Sequence, residues 1–434
     1  MVSVAIVGLG GRGRCYADYQ KLNPKLMKIV AIADVNRVLV EKYKAEYSVP
    51  DDMCFNSAEE LLEKDRLADA VVIATFDKEH YAHTIMAIDK GYDILLEKPI
   101  SPTLAECIEI DEKAKEKGVH LRICHVLRYT EYFRKLKELV DSGVIGKVRA
   151  IENTENIAYW HYAHSFVRRI WGNSKKTSSI ILQKCCHDTD ILTWLIDKKP
   201  VKVTSMGGLS YFTKENAPKG SPERCGKTCP EYYTCPYNAE RFYLTEGYMA
   251  SNEDAKNKDW MYKALCSGTP SEDGIKKSLK NTDFGKCVFK CDNDVCDHQS
   301  VVIEYEDGTI VTHTLSAFTQ ECYRATKIFG TLGEIEANDN DLVVRIKKFD
   351  GGALIRNDRT KAREEVIDVE SIATDLTGHN GGDNGLMKDF LTYVDERKNG
   401  KCTKLRNEDV MVSHKICFAA EESRLNGGTP IEIK

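Results

Sequence analysis

The stretch that decides the fold is Val2-Ser-Val-Ala-Ile-Val-Gly-Leu-Gly-Gly-Arg-Gly13, an apolar run leading into Gly8-x-Gly10-x-x-Gly13. The apolar part reads as a strand covered on both faces. The glycines read as the tight turn that lets backbone approach a pyrophosphate at the positive end of the next helix. Such a turn alone is a weak signal, and its context strengthens it. A helical pattern follows, and the second apolar run, Ile29-Val-Ala-Ile-Ala-Asp34, ends in a carboxylate placed to bind ribose hydroxyls and repel a 2′-phosphate. Gly8, Gly10, Gly11, Arg12, Gly13 and Asp34 are therefore the expected dinucleotide contacts, and Asp34 favours NAD over NADP. Arg37 argues the other way, since a guanidinium there accepts a phosphate.

Outward from this turn, residues 1–125 alternate short β-rich runs (4–7, 28–33, 70–74, 94–96 and 120–124) with helical patterns at 37–47, 80–90 and 104–117. That order predicts an α/β fold with a doubly wound parallel sheet, a Rossmann domain. After a helix at 131–142 the strands lengthen and alternate: 148–157, 201–208, 299–306, 310–318, 327–330, 334–337 and 342–348. With short turns such as Glu306-Asp-Gly308, they predict a second α/β domain over 126–434 with an open-faced, largely antiparallel sheet. Helices are expected at 188–196, 385–397 and 407–425. Residues 211–298 are polar, turn-rich and too long for a plain loop, which marks an insertion with its own stabilising device.

Composition narrows the function. The 434 residues are 42% hydrophobic and 30% charged, with a net charge of −5, ordinary for a soluble globular chain. There is no electrostatic case for nucleic acid or an anionic membrane. No apolar run approaches the roughly 20 residues of a membrane span. No basic leader precedes the first strand, so a cytoplasmic location is expected. Sixteen cysteines are many for that compartment. Cys107, Cys124 and Cys417 lie in apolar patterns, where a reduced thiol is a small hydrophobe. Cys225-x3-Cys229-x5-Cys235 with Cys287 suits structural zinc, Cys291 being a substitute fourth ligand, although free or redox thiols fit the spacing as well.

Lys98 follows the apolar run Tyr92-Asp-Ile-Leu-Leu96, at the carboxyl end of a parallel strand, where ligands bind. Pro99 restricts it to extended backbone, so its ammonium is aimed at something. His187 lies in Gln183-Lys-Cys-Cys-His-Asp-Thr-Asp190 at the start of an amphipathic helix, where a proton-handling role and a packed ring are equally open. Tyr159-Trp-His-Tyr-Ala-His-Ser-Phe-Val-Arg168 sets His161, His164 and Arg168 among aromatic rings, which suits a sugar or an amphipathic surface loop. The glycine-rich Thr377-Gly-His-Asn-Gly-Gly-Asp383 presents His379, and His125, Arg128 and Tyr129 follow a strand ending at Cys124.

Taken together, Gly8-x-Gly10-x-x-Gly13, Thr75-Phe-Asp-Lys-Glu-His80, Glu97-Lys98-Pro99 and His187-x-x-Asp190 resemble the Gfo/Idh/MocA oxidoreductase family. The resemblance covers the first 200 residues and extends more loosely into the later sheet. It implies an NAD-dependent dehydrogenase of a secondary alcohol on a sugar, glycoside or cyclitol, with Lys98 and His187 flanking the reacting hydroxyl. It adds Thr75, His80, Glu97 and Lys98 to the cofactor contacts. It also implies a homodimer or homotetramer formed through the open sheet face. Many members carry an aspartate where this chain has Gln183, which puts the usual lysine–aspartate–histidine relay in doubt and offers Lys184 as a substrate donor. The histidines leave room for a redox-assisted glycosidase that oxidises, eliminates, adds water and re-reduces. A non-catalytic NAD-binding regulator is the reading of another class.

Overall fold

The computed structural model describes residues 1–250, 259–266, 269–350, 364–375, 377–402, 405 and 411–433. The first sheet is built from β1 (Val2–Val7), β2 (Met27–Ala33), β3 (Cys54–Phe55), β4 (Ala70–Ile73), β5 (Asp93–Leu96) and β6 (Leu121–Ile123) in the order β3-β2-β1-β4-β5-β6. Its strands pair in parallel. β4 and β5 are buried at every position, because helices cover both faces. The strand order reverses between β1 and β4, so the crevice at their carboxyl ends is the place where such a sheet binds ligands.

The second sheet runs β14-β13-β12-β11-β7-β10-β9-β8-β15. Its members are β7 (Val148–Ala158), β8 (Pro200–Gly208), β9 (His298–Tyr305), β10 (Ile310–Thr319), β11 (Tyr323–Gly330), β12 (Gly333–Asn338), β13 (Val343–Lys348), β14 (Glu364–Asp368) and β15 (Ile431–Glu432). The pairings are antiparallel except β7 with β10, which run parallel. The β9–β10 turn closes on Gly308 at a φ of 79°, a conformation that costs glycine nothing. In β9, Gln299, Val301, Ile303 and Tyr305 are buried while Ser300 and Val302 are exposed. Helices Cys186–Ile196 and Val412–Leu425 pack on the buried side, with Thr193 on the Tyr305 hydroxyl at 3.0 Å and Ser423 Oγ on the Ser205 amide at 2.9 Å. Among the described residues, alternate positions on the other face are exposed, as at His298, Ser300, Val302, Ile310 and Thr312.

The last long helix, Gly382–Lys398, returns to the first sheet. Asp395 meets the Met1 amino group at 2.9 Å, Lys398 meets Asp69 at 2.7 Å, and Phe390 and Tyr393 pack on the buried His120 ring. This helix therefore brings its own N-terminus to the dinucleotide turn. Of the expected final helix 407–425, residues 407–410 lie outside the described residues.

The segment 211–298 has small cores of its own. Ala239, Tyr243, Leu244, Tyr262, Leu265 and Ile275 form a small buried cluster of their own. Tyr211, Phe212, Tyr237 and Phe289 interlock as a second, aromatic cluster that joins Tyr162 and Phe318 of the main body. The first cluster comes from short helical segments, Arg241–Tyr248, Asp259–Cys266 and Glu272–Asn281, and the second from turns and bends, whose spacing leaves no period. Among the described residues no helix is long and apolar enough to cross a membrane.

Candidate active site

The turn after β1 is shaped by contact. Gly8 has a φ of 89°, and a Cβ there would stand 2.6 Å from the Ala74 carbonyl oxygen. A Cβ on Gly13 would meet the Gly8 oxygen at 1.8 Å, so helix Gly11–Leu22 can seat directly on the turn only with glycine there. Gly10 and Gly11 face open space, leaving a cradle of backbone and the helix N-terminus for a pyrophosphate. Asp34 accepts the Leu9 amide at 2.6 Å and the Asn36 amide at 2.7 Å, which fixes its carboxylate at the edge of this cradle. Arg37 is exposed and pairs with Glu41 at 3.1 Å. The residues present fit a dinucleotide.

Arg12 departs from its expected part as a cofactor contact. Its guanidinium turns down onto Glu97 at 2.6 Å and Asp383 at 2.7 Å, tying the turn to β5 and to helix Gly382–Lys398. Burial opposes charge on Glu97, but Arg12 and Lys98 outweigh it and hold the carboxyl below its usual range. Asp383 is likewise held well down, burial being overcome by His379 at 2.9 Å and by Arg12. His379 thus reaches the same network from the glycine-rich loop. Thr75 and His80 also spend their side chains internally: Thr75 Oγ1 meets His83 Nδ1 at 3.0 Å, while both ring nitrogens of the buried His80 face carbonyl oxygens, Pro99 at 2.7 Å and Thr75 at 3.1 Å. His80 has no ring nitrogen left over, whereas the Thr75 hydroxyl keeps capacity for a further hydrogen bond.

Lys98 stands one residue beyond this network, joined to Pro99 by a cis bond. Its Nζ donates to the Gln183 backbone carbonyl at 2.7 Å, while the Gln183 amide turns away to Thr177 and Ser178. Gln183 thus holds the lysine through its backbone. Helix Cys186–Ile196 carries His187 in its first turn. Burial first, and then the charges of Lys98, His125, Arg324 and His379, push its pKa well below the ordinary histidine value, so the ring is neutral at neutral pH. Its Nδ1 is sealed without a partner, which leaves Nε2 as the nitrogen able to meet a substrate.

Beneath His187 lies a second histidine line. The His125 ring stands 6.1 Å from that of His187 and 5.8 Å from that of His414. His414 Nε2 accepts the Ile100 amide at 3.0 Å, so its proton sits on Nδ1, facing the Ser413 hydroxyl at 3.1 Å. Behind Lys184 is a buried ion network: Lys184 meets Glu155 at 3.0 Å, and Arg324 meets Glu155 at 2.6 Å and Asp188 at 2.8 Å. Sequence reasoning missed Glu155, Arg324, Ser413 and His414. The one visible signal was opposite charges in two strands, and only the β7–β11 register makes Arg324 the cross-strand neighbour of Glu155.

Several expected substrate contacts are committed elsewhere. Arg128 grips Asp190 through two 2.7 Å bonds, and the Tyr129 hydroxyl donates to Asp389 at 3.0 Å, so both secure helices instead of facing substrate. His164 is fully buried on Tyr243, and Arg168 donates to the Lys286 and Tyr237 carbonyls at 3.0 and 2.6 Å. Both turn into the insertion, because a wide helical turn at Ala163–Val167 swings them off the cleft face. His161 stays near the site, within reach of the charges of Lys184 and Lys98 and 3.4 Å from the Cys322 sulfur. The structure therefore gathers Lys98, His187, Lys184, His125, His161 and His379, and removes Arg128, Tyr129, His164 and Arg168.

The cysteines Cys225, Cys229, Cys235 and Cys287 do line one small cavity. A bridge between Arg224 and Lys286 aligns the chains carrying the first and last of them. They are not gathered as a zinc cage, however. Among the described residues, the trio of metal-binding side chains with ligand atoms within 4.8 Å of one another is Cys185, Asp188 and His313, whose Asp188 is already held by Arg324.

Residues 2–125 match the model of an oxidoreductase family with an NAD-binding Rossmann fold, and residues 133–220 match the Gfo/Idh/MocA C-terminal domain. The chain belongs to the Gfo/Idh/MocA family. This member is 26% identical to YteT of Bacillus subtilis strain 168, named as an oxidoreductase, over 75% of this chain and 73% of YteT. It is also 26% identical to an inositol 2-dehydrogenase/D-chiro-inositol 3-dehydrogenase of Shouchella clausii, over 45% of this chain and 53% of that enzyme, about half its length. The crystal structure of scyllo-inositol dehydrogenase from Lactobacillus casei superposes with a TM-score of 0.62 at 15% identity, covering 100% of this chain and 98% of the other. That likeness establishes the shared two-sheet fold. The Gfo/Idh/MocA oxidoreductases bind NAD on the Rossmann half, where this chain has its glycine cradle.

Proposed function

We propose that this protein is an NAD-dependent dehydrogenase acting on a CH–OH group of a sugar, glycoside or cyclitol. The observation that carries this reading is the convergence of Lys98 and His187 at the carboxyl edge of the Rossmann sheet, beside the open glycine cradle. When bound, the nicotinamide supplies the hydride acceptor or donor. Lys98, anchored on the Gln183 carbonyl, donates a hydrogen bond to the reacting hydroxyl oxygen and steadies negative charge there. His187, held neutral, takes the hydroxyl proton on Nε2. His125 and the Asp190–Arg128 pair brace it from behind. The inositol dehydrogenase relative supports a cyclitol or sugar as the substrate class. Lys98→Ala and His187→Ala are each expected to lose about 10²-fold or more in turnover while retaining NAD binding, because neither holds the pyrophosphate. Near-normal turnover in either variant removes that residue from the mechanism.

NAD is preferred to NADP, supported by the fixed Asp34 carboxylate and by Arg37 being paired with Glu41. Two copies pair through the open face of the second sheet, supported by its exposed alternate positions, which size-exclusion chromatography tests. A cytoplasmic location is supported by sixteen free thiols. Zinc at Cys225, Cys229, Cys235 and Cys287 is supported by their shared cavity alone. Elemental analysis of protein purified without chelator tests it, about one zinc per chain being the supporting result. A metal-free, ordered protein would identify these residues as ordinary thiols.

A further inference from the structure

The glycine-rich loop Thr377-Gly-His-Asn-Gly-Gly-Asp383 seats one carboxylate. His379 and Asn380 hold left-handed backbone at φ of 44° and 52°, a conformation that persists in such residues only where the surroundings enforce it. The glycines let those surroundings close in. A Cβ on Gly381 would stand 2.3 Å from the Asp375 oxygen, one on Gly382 2.5 Å from the Val126 oxygen, and one on Gly378 2.9 Å from Oδ2 of Asp383 itself. The loop is thus drawn tight against the segment after His125, and it delivers Asp383 in the first turn of helix Gly382–Lys398.

Asp383 begins a chain of direct contacts that ends at Lys98. Its Oδ1 accepts Arg12 Nη2 at 2.7 Å, while Oδ2 meets His379 Nδ1 at 2.9 Å. Arg12 Nε donates to Glu97 Oε1 at 2.6 Å, and the Tyr16 hydroxyl bridges the same two groups. The other carboxylate oxygen of Glu97, Oε2, accepts the Lys98 amide at 3.0 Å, and Lys98 Nζ donates to the Gln183 carbonyl at 2.7 Å. The lysine is therefore fixed at both ends, its backbone by Glu97 and its ammonium by Gln183. The side chains of Asp383 and Glu97 are only 5% and 7% exposed, so removing either leaves buried charge without its counterpart. Without Asp383 the guanidinium has one carboxylate anchor instead of two, and Glu97 loses the group that aligns it.

We propose that Asp383 is a positioning residue for Lys98: it clamps Arg12 against Glu97, and Glu97 fixes the backbone from which the lysine reaches the reacting hydroxyl. This rests on the dehydrogenase reading above and adds to that site a residue from helix Gly382–Lys398. A small misplacement of a reacting group costs rate more than binding, so the effect of Asp383 falls on kcat.

The experiment uses the full-length protein with NAD and three probes: myo-inositol, D-glucose and methyl α-glucoside. Turnover, NAD binding by calorimetry and hydrogen–deuterium exchange of the peptide containing Lys98 are measured. The variants are Asp383→Asn, Asp383→Glu, Arg12→Lys, Lys98→Ala and the double variant Asp383→Asn with Lys98→Ala. Asp383→Asn is expected to lower kcat about tenfold, the size of one charge-assisted bond, with KM little changed and NAD binding retained. Asp383→Glu, which restores the charge, should recover part of the loss. Arg12→Lys, which cannot span both carboxylates, should repeat the loss even if Asp383→Asn fails to fold. In the Lys98→Ala background, Asp383→Asn should cost less than about twofold further, because the group it positions is gone. Exchange at the Lys98 peptide should quicken in Asp383→Asn. An equal loss with and without Lys98 would mean general damage and overturn the inference, as would exchange at the wild-type rate. If wild type forms no NADH with any probe, or Lys98→Ala turns over normally, the dehydrogenase reading fails. Exchange alone then decides: faster exchange upholds the hold of Asp383 on Lys98, and unchanged exchange overturns it.

Discussion

At the residue scale, selectivity comes from groups that are already spoken for. Arg12 looks like a phosphate ligand in sequence, yet Glu97 and Asp383 consume it, so the cradle meets a pyrophosphate with backbone amides and helix dipole. Asp34 keeps acceptor capacity beyond its two amide bonds, and a carboxylate there opposes a 2′-phosphate. NAD is expected to bind at least about tenfold tighter than NADP, roughly 1.4 kcal/mol. Asp34→Ala should narrow that gap by weakening NAD binding. Calorimetric titration with both dinucleotides measures it, and equal or tighter NADP binding would transfer the role to Arg37. Lys98 and His187 were legible because each stands at an element boundary with a proline or a charged run beside it. Glu155, Arg324 and His414 were not legible, since they sit inside strands and a helix and gain meaning only from partners up to 314 residues away.

At the element scale, much of the architecture was readable because the signals were periodic. The buried strands of the first sheet are short apolar runs, and those of the second alternate, so both sheets follow from the pattern. The two-residue β3 and β15 are too short to leave a period. The insertion illustrates a different limit. One core is assembled from three helical segments too short for a periodic signal, and the other from aromatic residues on turns and bends. Irregular backbone explains the reversed fates of His161 and His164. A regular helix would place residues three apart on one face, but the wide turn at Ala163–Val167 sends His164 inward to Tyr243. The parallel β7–β10 pair was also invisible, since alternation is identical for either strand direction.

At the scale of the whole molecule, the chain crosses back on itself so that the site is built from both sheets. Helix Gly382–Lys398 carries Asp383 to Arg12, and helix Val412–Leu425 carries His414 under the segment after Lys98. Binding of the dinucleotide therefore touches elements from the two ends of the sequence. This burial has a pH signature. His80, His161, His164, His187 and His313 all have pKa values pushed below the ordinary 6.5, burial being the leading cause in each. The unfolded chain binds protons at these rings near pH 6.5 and the folded chain does not. Stability is thus fully present above about pH 6.5 and falls as the pH drops below it. Melting temperature is expected to be flat from pH 8 to pH 7 and to decline steadily toward pH 5.5, with all changes made at constant ionic strength; a rise on acidification would mean that these rings are charged in the folded protein.

The central claim is that Lys98 and His187 serve a hydride transfer that consumes NAD. Its most direct test is to incubate the purified protein with NAD and a panel of cyclitols, sugars, sugar acids and aryl glycosides, following NADH absorbance and released aglycone together. The account predicts that at least one free sugar, sugar acid or cyclitol produces NADH in proportion to substrate consumed, and that Lys98→Ala and His187→Ala lose this signal while still binding NAD. Release of aglycone without accumulation of NADH would contradict it in favour of redox-assisted glycoside cleavage, and NAD binding without turnover of any substrate would contradict it in favour of a non-catalytic role.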